Sequence, residues 1–296
     1  MADDVQIQAP APERTGASHQ AGASGQTEAS GQTEASQPTD ASPQKDVQIK
    51  KQVYKDPRPA EMFDQYHARV RRRRPEWPYE LVRVITVSIA VTFFRTQGFG
   101  AENVPNGPLI VAPNHASFMD HFFAGAFIRR HIQFMAKSQM FGNSVMSYVL
   151  NRGGVFPVRR GYADEEAFKT AFAVLDRGGA IGMYVEGGRS RTGRVGEEAK
   201  AGIGRLALET GAAVVPVAIL GSNRVRNWTR LRFTKVVVRY GRAIRFEQIE
   251  NPTREQQQQC ADEILRRIRE MHAELEHAGR HEAAAAARRS VAAERS

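Results

Sequence analysis

A histidine and an aspartate five positions apart, His115 and Asp120, follow the apolar run 109–112 and Pro113. An imidazole with one nitrogen held by a carboxylate and the other facing solvent is a general base with an orienting partner. Residues five apart on one continuous helix do not face each other. If a helix begins near Ser117, however, His115 sits in the turn before it and Asp120 in its first turn, and the two side chains can meet. The same residues also read as an ordinary helix start, with Ser117 and Asp120 as a capping box and His115 as a loop residue.

A second constellation, Val185-Glu186-Gly187-Gly188-Arg189-Ser190-Arg191-Thr192-Gly193, directly follows another apolar run. Adjacent glycines let backbone N–H groups converge on an anion, and Arg189 can add a bidentate contact to phosphate. Taken alone, the segment is equally a glycine-rich turn with solvated arginines. A third segment, Gly153-Gly154-Val155-Phe156-Pro157-Val158-Arg159-Arg160, brings two more arginines out of an apolar run. Lys200-Ala201-Gly202 and Val214-Val215-Pro216-Val217 complete the set.

The elements that must position these residues alternate between short apolar runs and amphipathic stretches. Residues 109–112, 156–159, 180–185, 213–219 and 235–240 read as strands. Residues 117–130, 165–177 and 199–210 read as helices, the second stopped by Gly178-Gly179 and the third by Gly211. Such alternation predicts an α/β domain, a mixed sheet covered by helices, over residues 101–252. Strand ends are the usual place for sites in such domains, and His115 follows one directly. Residues 253–296 form a C-terminal helix and an Ala/Arg-rich tail. Pro252 and Thr253 open the helix with Gln256 as capping-box partner, and Cys260, Ile264, Ile268, Met271 and Leu275 make its apolar stripe.

Upstream, residues 1–52 are rich in Ala, Ser, Gly, Gln, Thr and Pro and repeat Ala-Ser-Gly-Gln-Thr-Glu at 23–28 and 29–34. So little apolar surface cannot offset ordering entropy, and the stretch is expected to be disordered. Residues 53–100 change character. Arg69 and Arg71, Arg72, Arg73 and Arg74 form a basic cluster, followed by Trp77, Pro78, Tyr79 and an apolar run from Leu81 to Phe94 broken by Arg83. This pattern suits an N-terminal helical segment in a membrane interface. It equally suits an amphipathic helix packed on the domain, and arginine runs also bind nucleic-acid backbones.

The net charge of +10 is unevenly spread: residues 1–50 carry −4 and the remainder +14. That balance calls for an anionic partner. Cys260, the single cysteine, excludes an intrachain disulfide. The acidic start is unlike a secretory signal, and no uncharged apolar run reaches the roughly 18 residues of a spanning helix. A cytoplasmic location is therefore expected, at the cytoplasmic face of a membrane.

Order adds what the separate motifs lack. His-x4-Asp, a Phe-x-Val-Arg segment, Glu-Gly-x-Arg-Ser and Val-Pro-Val, in that sequence, resemble the glycerolipid acyltransferase family, specifically 1-acylglycerol-3-phosphate acyltransferases. The resemblance runs from about Gly98 to Phe246 and includes Glu102-Asn103-Val104-Pro105. It departs in the third motif, where Val185 and Gly188 replace the proline and threonine of Phe-Pro-Glu-Gly-Thr-Arg-Ser, and at Pro157 of the second.

The resemblance implies acyl transfer from a thioester, on CoA or a carrier protein, to the free hydroxyl of a lysophospholipid. His115 would be the base and Asp120 its partner. Arg159, Glu186, Gly187 and Arg189, with Lys137 and Lys200, would bind the acceptor's phosphate, and backbone N–H groups near Gly187 or Val217 the oxyanion. No metal or other cofactor is implied, and no nucleophilic Ser or Cys. The partners are the two lipid substrates and an anionic membrane surface, with no nucleic acid. Alternatives are another lyso-lipid acceptor within the same chemistry, or a lipid-binding protein without catalysis.

Overall fold

The apolar runs that alternate with amphipathic stretches become a layered sheet and its helical cover. The computed structural model describes Val5–Ile7 and residues 55–162, 164–190, 192–225 and 233–293. These belong to one of two units in the chain, and the other, Pro10–Val53, lies outside the described residues. So does nearly all of the stretch 1–52 expected to be disordered; its described part, Val5–Ile7, forms a short strand, β1.

In chain order the further elements are α1 (Asp64–Arg72), α2 (Trp77–Thr92), β2 (Gln97–Phe99), β3 (Leu109–Pro113), α3 (Asp120–Gly125), β4 (Ile132–Lys137), α4 (Ser144–Arg152), β5 (Phe156–Val158) and α5 (Glu165–Asp176). Then come β6 (Ala180–Gly182), α6 (Gly202–Thr210), β7 (Ala213–Leu220), β8 (Val237–Tyr240), β9 (Ile244–Phe246), α7 (Arg254–His277) and α8 (Gly279–Ala293). The sheet runs β1-β9-β7-β3-β6-β4-β5, with β8 also against β7 and β2 outside β8. The ladders β7–β3–β6–β4–β5 are parallel, whereas β8 and β9 meet β7 antiparallel. The sheet is thus mixed, as expected. Every residue of β3 is buried, which fits a strand covered on both faces.

Alternate residues of β3 feed two cores. Ile110 and Ala112 join Val174, Leu175, Ile203, Leu206 and Ile264 beneath α5, α6 and α7. Leu109 and Val111 join Phe94, Phe123, Ile132 and Tyr240 beneath α2 and α3. Gly211 ends α6 in the left-handed conformation, φ +60°, as its position in sequence predicts. Thr253 and Gln256 close the predicted capping box of α7, whose stripe from Cys260 to Leu275 is buried. The tail beyond Gly279 forms a helix of its own, α8, which packs on α7, β2 and β8.

Several elements differ from expectation. α3 is six residues long rather than spanning 117–130. The chain leaves the helix so that Arg130 can reach the carbonyls of Pro105, Gly107 and Gly178 at 2.7, 2.6 and 2.8 Å. β6 stops at Gly182, not 185, because the backbone turns there, the Gly187 N–H donating to Tyr184 O at 3.0 Å. α6 starts at Gly202 because the Lys200 N–H is bound to Val185 O at 2.8 Å. β4 and α4 were not predicted. Polar Gln133 and Lys137 interrupt β4, and buried Gln133 accepts from Arg177 at 3.0 Å.

The basic cluster proves largely paired with the protein itself. Arg69 binds Glu76, Arg71 meets Glu166 at 2.5 Å, and Arg73 lies 3.8 Å from Glu76. α1 packs on α5, so this part of 53–100 follows the packed-helix alternative. α2 differs, exposing Trp77, Leu81, Val84, Ile85, Ile89, Val91 and Phe93. Its neighbour α4 is inverted: polar Ser147 and Asn151 are buried while Val145, Met146 and Tyr148 are exposed, Val145 to 73%. Among the described residues no helix is long and apolar enough to cross a membrane.

Candidate active site

Parallel strands deliver their C-terminal ends to one edge of the sheet, and the chemistry-bearing segments leave from there. Asn114 fixes the first of them. Its side chain bonds both backbone groups of Ile219 in β7, accepting from N at 2.7 Å and donating to O at 3.1 Å. His115 is therefore held in the turn beyond β3, and Asp120 begins α3.

The two side chains meet, His115 Nδ1 lying 3.0 Å from Asp120 Oδ2. The contact selects the tautomer that is protonated on Nδ1 and leaves the Nε2 lone pair available. Asp120 is fully buried, and the same Oδ2 accepts from the backbone N–H of Ala116 and Ser117 at 2.7 and 2.6 Å. One carboxylate oxygen thus ties the turn and orients the imidazole. Only half of the capping box exists: Asp120 Oδ2 accepts from the Ser117 N–H, but Ser117 Oγ accepts from Met119 N at 3.2 Å and the Asp120 N–H goes to Ser117 O.

Burial pulls the His115 imidazole below its ordinary pKa. The Asp120 carboxylate opposes that shift, and the positive charges of Arg189 and Arg160 reinforce it. The net shift favours the neutral imidazole. Tyr184, which the sequence reading missed, stacks on the imidazole with ring centroids 3.7 Å apart and planes at 15°. Its only sequence signal is an aromatic residue two positions before Glu186.

Glu186 does not face an anion. Its Oε1 accepts from the His115 backbone N–H at 2.7 Å and its Oε2 from the Gly196 N–H at 2.9 Å. Burial raises its pKa, and these two N–H groups hold it down. Glu186 therefore braces the backbone of His115, where the sequence reading had it toward the acceptor's phosphate. Gly187 is likewise committed, its N–H already spent on Tyr184 O. With φ at +66°, and an added Cβ only 2.7 Å from Lys200 Cγ, this position requires glycine. The ammonium of exposed Lys200 lies 3.7 Å from Glu198.

The cations gather differently from the sequence reading. Arg159 turns away, donating to Arg58 O at 3.0 Å and lying over the Tyr162 ring at 4.3 Å. Arg160, one residue on and in the turn beyond β5, lies toward the glycine-rich segment instead. Its Nη1 is 4.0 Å from where a Cβ on Gly188 would sit. Burial chiefly lowers the pKa values of Arg160 and Lys137, and the charge of Arg189 lowers both further. Lys137, Arg160 and Arg189 thus share one positive field, and the two arginines extend it to the Nε2-bearing imidazole.

At the end of a parallel strand, then, a half-buried histidine meets a buried aspartate, with arginines close enough to act on the imidazole. Residues 96–220 match the family model described as Acyltransferase. The chain is 26% identical over 152 residues to the chloroplastic 1-acyl-sn-glycerol-3-phosphate acyltransferase LPAT1 of Arabidopsis thaliana, covering 50% of this chain and 42% of that protein. Against the chloroplastic 1-acyl-sn-glycerol-3-phosphate acyltransferase BAT2 of Brassica napus it is 25% identical over 169 residues, or 55% and 46%. It spans about half the length of these curated relatives. In fold it is similar to the 1-acyl-sn-glycerophosphate acyltransferase PlsC of Thermotoga maritima, with a TM-score of 0.50, 20% identity, and 73% and 89% of the two chains covered.

Proposed function

We propose that the protein transfers an acyl group from an acyl thioester to the free hydroxyl of 1-acylglycerol 3-phosphate, giving phosphatidate. The observation that carries this reading is the 3.0 Å contact between His115 and a wholly buried Asp120, with the charges of Arg160 and Arg189 reaching the imidazole. His115 Nε2 takes the hydroxyl proton as the oxygen attacks the thioester carbonyl. The C–S bond then breaks, and the imidazolium returns the proton to the departing thiolate. Asp120 holds the tautomer and stabilises the imidazolium between those steps. Lys137, Arg160 and Arg189 receive the phosphate, a role for which Arg160 replaces Arg159 and in which Glu186 takes no direct part.

Both substrates partition into bilayers, and the apolar faces of α2 and α4 offer a surface that would keep the site there. Trp77 at the start of α2 is 62% exposed. A different lyso-lipid acceptor is the second reading. Gly188, which stands where the family motif has threonine, faces Arg160, so the phosphate pocket itself carries the departure.

Oleoyl-CoA and 1-acylglycerol 3-phosphate in mixed micelles test the proposal, with wild type beside His115→Ala and Asp120→Asn. Phosphatidate from the wild type, with turnover down about 10²–10⁴-fold in His115→Ala, is the expected result. Unchanged turnover in that variant would sink the His–Asp mechanism. Turnover by the wild type of other lyso-lipids, but not of this one, would favour the second reading.

A further inference from the structure

Ahead of α1, and outside the family match, the segment 55–59 is tied to two loops far from it in sequence. Asp56, 1% exposed, accepts from Arg58 N, Nε and Nη2 at 3.1, 3.0 and 2.7 Å. So braced, the Arg58 guanidinium donates to Ser138 O at 2.7 Å and Phe141 O at 3.1 Å. These carbonyls lie in the 3₁₀ turn Ser138–Gly142, which begins one residue after Lys137. The segment's own carbonyls serve the other loop. Arg58 O accepts from Arg159 Nη2 at 3.0 Å, one residue before Arg160, and Asp56 O from the Tyr162 hydroxyl at 3.4 Å.

Two of the three cations assigned to the phosphate thus stand next to the tied segments: Lys137 ends β4 one residue before the turn, and Arg160 follows Arg159. A bidentate guanidinium–carboxylate pair holds both partners in one geometry, and the pair is buried on the Asp56 side. Removing Arg58 would leave the Asp56 carboxylate buried without its partner and two carbonyls without their donor. β4 and β5 pair directly, Lys137 opposite Val158, so their strands need no external help. The turn Ser138–Gly142 and the stretch after Val158, however, lie beyond the ladder. Arg58 links them, through the Ser138 and Phe141 carbonyls on one side and its own carbonyl to Arg159 on the other.

We infer that Asp56 and Arg58 form a positioning strap that sets the spacing of Lys137 and Arg160, and with it affinity for the acceptor's phosphate. This inference rests on the phosphate role proposed above. The strap touches neither substrate and leaves the His115–Asp120 pair alone, so its loss should act on the acceptor and not on the chemical step.

The test compares wild-type full chain with Arg58→Ala, Arg58→Lys and Asp56→Asn. It measures KM for 1-acylglycerol 3-phosphate and for oleoyl-CoA, kcat, and inhibition by glycerol 3-phosphate, with Tm recorded for each. Arg58→Ala should raise the acceptor KM and the glycerol 3-phosphate inhibition constant about 10-fold, with kcat and the oleoyl-CoA KM close to wild type. Arg58→Lys, which keeps the charge but not the fork, should recover only part of the loss. Equal losses for both substrates, or a fall confined to kcat, would overturn the strap, as would an unchanged acceptor KM in a folded Arg58→Ala. If Arg58→Ala does not fold, the milder Asp56→Asn and Arg58→Lys decide by the same split. A wild type that turns over no phosphate-bearing acceptor would instead overturn the function on which the strap depends.

Discussion

Glu186 holds His115 by its backbone and not by its ring: the carboxylate accepts from the His115 N–H at 2.7 Å and, through its other oxygen, from the Gly196 N–H at 2.9 Å. Two segments 71 residues apart and more are thereby joined at the backbone of His115. The Ser190 N–H adds a bond to His115 O at 2.7 Å, so the residue is gripped on both sides of its backbone. The glycine-rich segment around Gly187 acts here as a frame for the imidazole before it acts on any substrate.

Glu186→Gln should therefore harm both stability and kcat. An amide supplies one acceptor oxygen and sets its NH2 group against a backbone donor, leaving a buried N–H unsatisfied at about 1–3 kcal/mol. Thermal unfolding should show the loss in Tm, and kcat should fall while the acceptor KM stays near wild type. An acceptor KM that rises with kcat intact would return Glu186 to the phosphate.

Arg160 and Arg159 should separate cleanly. Arg160→Ala removes a cation from the shared field and should raise the acceptor KM about 10–100-fold, the worth of a hydrogen bond to a charged group. Arg159→Ala loses one bond to Arg58 O and should have the smaller effect. The Arg160 charge also lowers the His115 pKa. Its removal should shift the acid limb of the kcat–pH profile upward, toward the ordinary imidazole value. A downward shift would contradict the placement.

His121 sets an acid limit on stability. Packed among Phe118, Phe122 and Phe134, its imidazole is pulled by burial from 6.5 to about 4. Between those values the unfolded chain binds a proton that the folded chain refuses, so stability falls as pH drops from 6.5 toward 4. The full difference is about 3 kcal/mol. Tm measured from pH 7.5 to 4 should decline across this window, and His121→Phe should flatten the decline. An identical slope in the variant would show that other groups set it.

The exposed apolar faces of α2 and α4 give a prediction about membranes. Ile85→Glu and Val145→Glu each place a charge where an apolar side chain stands open. If these faces enter a bilayer, each change should weaken binding to phosphatidylcholine–phosphatidylglycerol vesicles about 10-fold or more, since burying one such side chain contributes about 1.5–3 kcal/mol. Tm should not move, because neither residue supports the core. Co-sedimentation unaffected by both changes would remove these helices from the membrane contact.

What the sequence by itself determined is what lies close along the chain. His115 and Asp120 are separated by one turn, so local backbone geometry alone brings them within 3.0 Å. The Thr253–Gln256 box, the Gly211 stop and the α7 stripe are local or periodic in the same sense, and each was legible. Only the tertiary structure decided the rest. Whether Arg159 or Arg160 turns toward the imidazole depends on how the chain bends after β5, which spacing along the sequence does not record. Glu186 looked like a ligand for substrate because its partners, His115 N and Gly196 N, are set by how the loops beyond β3 and β6 meet. α4 reads as unremarkable until packing shows that it buries Ser147 and Asn151 and exposes its apolar residues. The Asp56–Arg58 strap makes its contacts some 80 to 100 residues away, where no spacing rule reaches. Periodicity records which residues share an element; which element lies opposite is fixed by closure of the core.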